Sequence, residues 1–276
     1  AHFLAFALFY YHFMVLDRVR CGKAGPKDAV LLGVLPFVIT LGVAGPYCAI
    51  YTATLLLAYG CFWLLDLMDG KRDRKIWVIL GICALIPLLL YMLSNSTLTE
   101  DYDRNSVSAS LIPSMLENPK FFIKFFLKSF ASMILGGEVI LDKLHLTGTQ
   151  ASLVGLAAAA AYLLALWLNF ACGIWERTVF PLLCLGGMNH VLILISRWIF
   201  GDENYGMSSR YALQFQVGII GILLTFALAS KYWEQRRRRT LLRVLAAAFT
   251  VMFLAGNLYT TWTELDKAKY RKERGY

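Results

Sequence analysis

Charge is what this sequence has least of. Only 16% of its 276 residues are Asp, Glu, Lys or Arg, against about 25% in a soluble domain. That shortage excludes a solvated shell around one globular core. Cysteine motifs are missing as well. Cys21, Cys48, Cys61, Cys83, Cys172 and Cys184 show no CxxC spacing and avoid the long polar loops, which argues against a disulfide framework or a zinc site. There is no HExxH, Walker loop, GxSxG, dinucleotide fingerprint or regular arginine ladder of a voltage sensor, so these signatures of metal, phosphate, acyl, redox and voltage chemistry are absent. Nor do matching halves carry paired Gly/Pro-interrupted spans, the pointer to inverted-repeat transporters.

What is there is apolar. Hydrophobic residues make up 58% of the chain, gathered in uncharged blocks of roughly 16 to 23, the length a helix needs to cross about 30 Å of hydrocarbon. The pattern predicts an all-α fold: a polytopic transmembrane helix bundle of about eight spans plus one outer interfacial amphipathic helix. The spans fall at 1–16, 29–44, 47–66, 76–94, 150–170, 179–199, 210–231 and 241–262. Domain organisation follows: helices one to four in 1–94, an extracytoplasmic loop in 95–149, helices five to eight in 150–262, and an extracytoplasmic tail in 263–276. Gly45 and Pro46 are expected to break the chain into a tight hairpin between the second and third spans. Basic residues concentrate in the loops 17–28, 67–75, 171–178 and 232–240, which include the run Arg236 to Arg239. The positive-inside rule puts those loops in the cytoplasm, and 95–149, 200–209 and the tail outside. Because the +9 net charge flanks apolar segments, it reads as a topology signal, and nucleic acid is not expected as a partner; membrane lipid is. The chain opens inside an apolar run and closes on a charged stretch, so it is expected to be a piece of a longer protein. No cleavable signal peptide pattern is visible.

One apolar segment resists assignment as a span. In "NPKFFIKFFLKSFASMILGG", Lys120, Lys124 and Lys128 recur every four residues and so line one stripe of a helix, with Phe on the remaining surface. Counting it as a span would put the arginine run outside. It is expected to lie in the outer interface over 119–135, lysines at headgroups and phenylalanines in the acyl boundary, with a re-entrant segment as the alternative. Asn118 would cap it, Pro119 would begin it, and Gly136 and Gly137 would end it.

Chemistry is expected at "GDENYGMSSRYALQFQVG", residues 201–218. Arg197 ends the sixth span and Arg210 begins the seventh, with a short connection between them. His190 and Arg197, seven apart, share a helix face, as do Arg210 and Gln214, four apart. With Ser208 and Ser209 these residues would form a polar wedge entering the membrane from outside, suited to a phosphate, diphosphate or carboxylate. The alternative is local neutralisation: Arg197 and Arg210 paired with Asp202 and Glu203, and His190 a packing histidine. A second cluster, Glu100, Asp101 and Asp103, supplies candidate general bases or oxygen ligands for a divalent cation, or is simply a solvated acidic loop. Glu138 and Asp142 form a further exposed acidic pair.

At Arg197, Phe200-Gly201 and Ser208-Ser209-Arg210-Tyr211, preceded by the Glu117-Asn118-Pro119 turn before an aromatic helix, the sequence resembles a group of bacterial polytopic envelope proteins. Their layout is similar to that of type C membrane glycosyltransferases, which use polyprenyl-phosphate-linked sugars on the outer face. The resemblance implies a bacterial cytoplasmic-membrane location and a lipid-phosphate-linked substrate. It assigns no catalytic residue, because the key acidic residue of that class lies in a first outer loop, a region expected to belong to the part of the protein outside this sequence. A transporter or flippase with an outward-facing polar opening, and a non-enzymatic assembly subunit, remain the alternatives.

Overall fold

The computed structural model describes residues 2–43, 48–70, 75–96, 104–137, 139–176, 179–208, 211–232 and 236–274. Among them there is no strand. The α-helices are α1 (His2–Arg20), α2 (Pro26–Phe37), α3 (Cys48–Met68), α4 (Lys75–Ser96), α5 (Arg104–Glu117), α6 (Pro119–Ala131), α7 (Gly148–Ala171), α8 (Val179–Arg197), α9 (Ala212–Tyr232) and α10 (Arg236–Arg274). Each predicted span coincides with a helix, because backbone crossing hydrocarbon must satisfy its own hydrogen bonds. Seven described helices are long and apolar enough to cross: Pro26–Val43, Ala49–Met68, Lys75–Ser94, Gly148–Ala171, Val179–Phe200, Gln214–Tyr232 and Arg237–Thr263. The chain is an integral membrane protein. The eighth expected span, on α1, is not in that set; His2, His12, Tyr10, Tyr11 and the Asp17–Arg18 pair dilute its apolar character. At the other end α10 continues as one helix past residue 262 to Arg274. The expected Gly45-Pro46 hairpin lies outside the described residues.

Two compact units divide the chain. One holds Ala1–Arg104 with Trp175–Met188, the other Asn105–Ile174 with Asn189–Tyr276. The first is held by aromatic packing. Phe9 lies against Phe13 and Tyr51, and Phe62 gathers Trp77, Trp175 and Phe180 with ring centroids 5.1 to 6.3 Å apart. Its polar contacts join neighbouring helices: the His12 imidazole meets the Tyr59 hydroxyl, and the Trp77 indole donates to Asp66 Oδ2 at 2.6 Å. Asp28 is buried at the start of α2, where its carboxylate accepts from the Gly25 amide at 2.9 Å and pairs with Arg18 at 3.2 Å. A carboxylate in a first helical turn also meets the positive end of the helix dipole.

The second unit is built around α6, and here two expectations are corrected. Asn118 does cap the helix, its Oδ1 accepting from the Phe121 amide at 3.4 Å, and Pro119 does begin it. The helix is amphipathic, but its apolar face meets protein rather than acyl chains: Phe122, Phe125 and Phe130 are buried, and so is Lys128 at 3% exposure. The helix also stops at Ala131, short of the glycine pair. Gly136 and Gly137 act instead as points of close approach. A Cβ on Gly137 would lie 2.0 Å from the Met207 carbonyl oxygen, and one on Gly136 would lie 2.7 Å from Thr260 Cγ2. Gly155 of α7 is tighter still, since its Cβ would fall 1.7 Å from the Leu127 carbonyl oxygen. Small residues let helix backbones meet where lipid supplies no hydrophobic drive. Ala131, Ile140, Ala151 and Met207 fill the core that results.

Candidate functional site at the end of helix eight

After Arg197 the chain makes a short 3₁₀ turn, Trp198–Phe200, closed by Gly201 at φ 66°. That left-handed conformation favours glycine, which has no Cβ to clash. Asp202 then caps a second turn, Glu203–Met207, its Oδ1 accepting from the Asn204 amide at 2.8 Å. The Tyr211 amide donates to the Ser208 carbonyl at 3.0 Å, which holds half-buried Ser208 next to the start of α9.

The acidic groups of this connection do not neutralise Arg197. Glu203 is gripped by α6: Lys128 Nζ lies 3.3 Å from Oε2 and Lys124 Nζ 3.6 Å from Oε1. Lys128 also donates to Asn204 Oδ1 at 2.8 Å. A buried ammonium needs such partners, because its desolvation is offset only by a nearby opposite charge and well-placed acceptors. The alternative reading that pairs Glu203 with Arg197 is therefore corrected: two lysines of a helical stripe, four residues apart, reach it first. Arg197 faces aromatic rings, its guanidinium carbon 5.7 Å from the centroid of Phe200 and 5.8 Å from that of Tyr211. It has no ion-pair partner among the described residues. Stacking engages the face of a guanidinium and leaves its N–H edge available for an anion.

His190 is not on the same exposed face. It is 1% exposed and sandwiched between Phe130 and Phe215, both rings stacked with centroids 4.0 Å away. Its Nδ1 lies 2.9 Å from Ser129 Oγ. The Ser129 hydroxyl donates to the Phe126 carbonyl at 2.7 Å, so toward the imidazole it acts as acceptor. That places the ring proton on Nδ1 and leaves Nε2 a bare lone pair. Nε2 has no hydrogen-bond partner among the described residues, and neither has the buried Gln214 Oε1. Imidazole and guanidinium, expected together in one wedge, occupy different settings.

Ser209 and Arg210 lie outside the described residues, as do Glu100, Asp101, Asp103 and Glu138. Asp142 is exposed on a π-helical turn, Val139–Lys143. Among the described residues no group of three His, Cys, Asp or Glu side chains could hold a metal ion. Sequence reasoning missed Lys124, Lys128 and Ser129 as parts of this region and gave Asn204 and Tyr211 no individual role in it. The four-residue lysine stripe is the available signal, and periodicity alone does not distinguish lipid headgroups from Glu203 as what it faces. No family model matches the chain, and neither a curated protein nor a solved structure matches it.

Proposed function

We propose that this integral membrane protein binds a lipid-linked phosphate at Arg197 and acts as a glycosyltransferase-like protein at the outer membrane interface. One observation carries the binding part. The carboxylates closest in sequence to Arg197 are engaged elsewhere, Asp202 with the Asn204 amide and Glu203 with Lys124 and Lys128. A guanidinium stacked on two rings at the end of a span thereby has no compensating carboxylate among the described residues, and a phosphate oxygen complements it in charge and geometry. Ser208, Ser209 and Arg210 would extend the same anion site. Gln214 and His190 would lie behind it, and Glu100, Asp101 and Asp103 are the candidate base or divalent-cation ligands for transfer from a polyprenyl-phosphate-linked sugar. Glycosyl transfer itself rests on the resemblance at the Arg197 to Tyr211 motif. The basic loops support a bacterial cytoplasmic-membrane orientation with 95–149, 200–209 and the tail extracytoplasmic.

The test is binding of polyprenyl phosphate to the purified protein in nanodiscs. Arg197→Ala removes a charge-assisted contact of roughly 1.5–3 kcal/mol, so affinity falls by about 10- to 100-fold. Arg197→Lys recovers part of it, because an ammonium keeps the charge and loses the planar fork. Unchanged binding by folded Arg197→Ala protein ends the phosphate role.

A transporter or flippase reading draws on one different observation. Buried polar groups recur in α7 and α9 away from the Arg197 region, where Asn169 Nδ2 donates to Thr225 Oγ1 at 2.8 Å. Flux of a lipid-linked phosphate across proteoliposomes, with no sugar transferred, would favour that reading over the enzyme.

A further inference from the structure

The register of α6 against its neighbours carries a conclusion about where this helix sits. Near its start, Phe122 packs on Trp198, ring centroids 5.8 Å apart. Near its end, Ser129 and Phe130 meet His190. From Phe122 to Phe130 and from Trp198 to His190 is the same eight-residue step, about 12 Å of helical rise. Helix α6 therefore runs antiparallel to α8, alongside the half that ends at Phe200. His190 falls midway along the span Val179–Phe200.

The neighbour on the other side agrees. Leu127 abuts Gly155, and Phe130 meets Tyr162 at 5.6 Å, which is close to the midpoint of the span Gly148–Ala171. From Gly148 to Tyr162 is about 21 Å of rise, and α6 with its 13 residues is about 20 Å long. That is too short to cross about 30 Å of hydrocarbon and long enough to reach its middle. The chain then has to return from Ala131 to Gly148. The first part of that return is packed on protein: Ser132 to Leu135 form turns, the Gly136 amide donates to Thr260 Oγ1 at 3.0 Å, Gly137 abuts Met207, and Val139 and Ile140 are buried, whereas Asp142 to His145 are exposed. The connection 201–208 descends to meet this segment, with Gly206 against the Phe125 carbonyl. Irregular backbone at membrane depth is tolerated only where protein or water covers it, and here protein does.

We infer that residues 119–147 form a re-entrant hairpin. It enters from the face on which α8 ends, reaches mid-depth at the Ser129–His190 contact, and leaves by the same face. With residues 201–208 it plugs that half of the second unit. This inference does not depend on lipid-phosphate binding at Arg197.

Two measurements test it together, in full-length protein whose six cysteines have been replaced by serine. Lys120→Cys at the start of the hairpin and Thr149→Cys just beyond its end, both at exposed positions, are labelled with a membrane-impermeant maleimide in vesicles of known sidedness. Both should react from one face. Reaction from opposite faces would mean a complete crossing and overturn the proposal. Depth is read by a short bifunctional thiol crosslinker on the pairs Ser129→Cys with His190→Cys and Phe130→Cys with Tyr162→Cys. A crosslink in either folded pair supports the hairpin. If both folded pairs fail while Phe122→Cys with Trp198→Cys crosslinks, the helix lies at the surface and the inference is wrong. It is equally wrong if all three folded pairs fail.

Discussion

The two units treat glycine in opposite ways. In the first, Gly33, Gly42 and Gly60 have nothing within 4 Å of where a Cβ would stand, and Gly81 has only an ordinary contact with Leu56. In the second, a Cβ on Gly137, Gly155 or Gly256 would sit 1.7 to 2.1 Å from the backbone oxygen of Met207, Leu127 or Ile134. One unit is packed through side chains, mostly aromatic; the other is interlocked through backbone. The reason lies in what the second unit has to hold. A half-length helix and two irregular segments bring incompletely paired amides and carbonyls with them, and these are sheltered only if neighbouring backbones close on them.

The comparison breaks most directly at Gly155. Gly155→Ala must move α6 off α7, an overpacking of about 3 kcal/mol. Gly60→Ala in the first unit should stabilise by up to about 1 kcal/mol, since it fills open space on a helix. Reversible unfolding of both variants in mixed micelles gives the two signs, and equal responses would erase the distinction between the units.

Next in size is the ion pair. Lys128→Met leaves Glu203 facing a protein surface with only the more distant, half-exposed Lys124 beside it, and should cost about 2 kcal/mol. Lys124→Met should cost less than about 0.5 kcal/mol, because its charge stays in contact with the surroundings. The same unfolding measurement separates them, and a larger loss for Lys124 would contradict the burial described for the stripe.

Smaller effects come from single polar contacts. Trp77→Phe removes the indole donor to Asp66 in the first unit, a loss of about 1 kcal/mol. Thr225→Val removes the partner of Asn169 in the second unit while Asn169 keeps its bond to the Ala165 carbonyl at 2.9 Å; about 0.6 kcal/mol is expected, the usual value between membrane helices. A reversal of that order would show that side-chain polar contacts, rather than close backbone packing, dominate the second unit.

Much of the helical framework was legible in residue order. The uncharged blocks located every span, and Asn118-Pro119 located the start of α6. The lysine stripe was legible as a stripe, but not as to what it faced. Periodicity states which residues share a helix face, and it is silent on whether lipid, water or a carboxylate 75 residues later in the chain lies opposite. Lys128 and Glu203 meet through three-dimensional proximity alone. Gly136 and Gly137 illustrate the same limit, since a glycine that ends a helix and one that admits a neighbouring carbonyl look identical in sequence.

Residue order alone makes this chain a bundle of membrane helices, because apolar length and the requirement for internal backbone hydrogen bonding select helices for these spans. Folding in three dimensions sets which charges are paired, that Arg197 stacks on aromatic rings while Glu203 goes to the lysines, and that His190 is sealed between two phenylalanines. Those outcomes depend on distances of a few ångströms between segments far apart in the chain, and composition or periodicity cannot encode them.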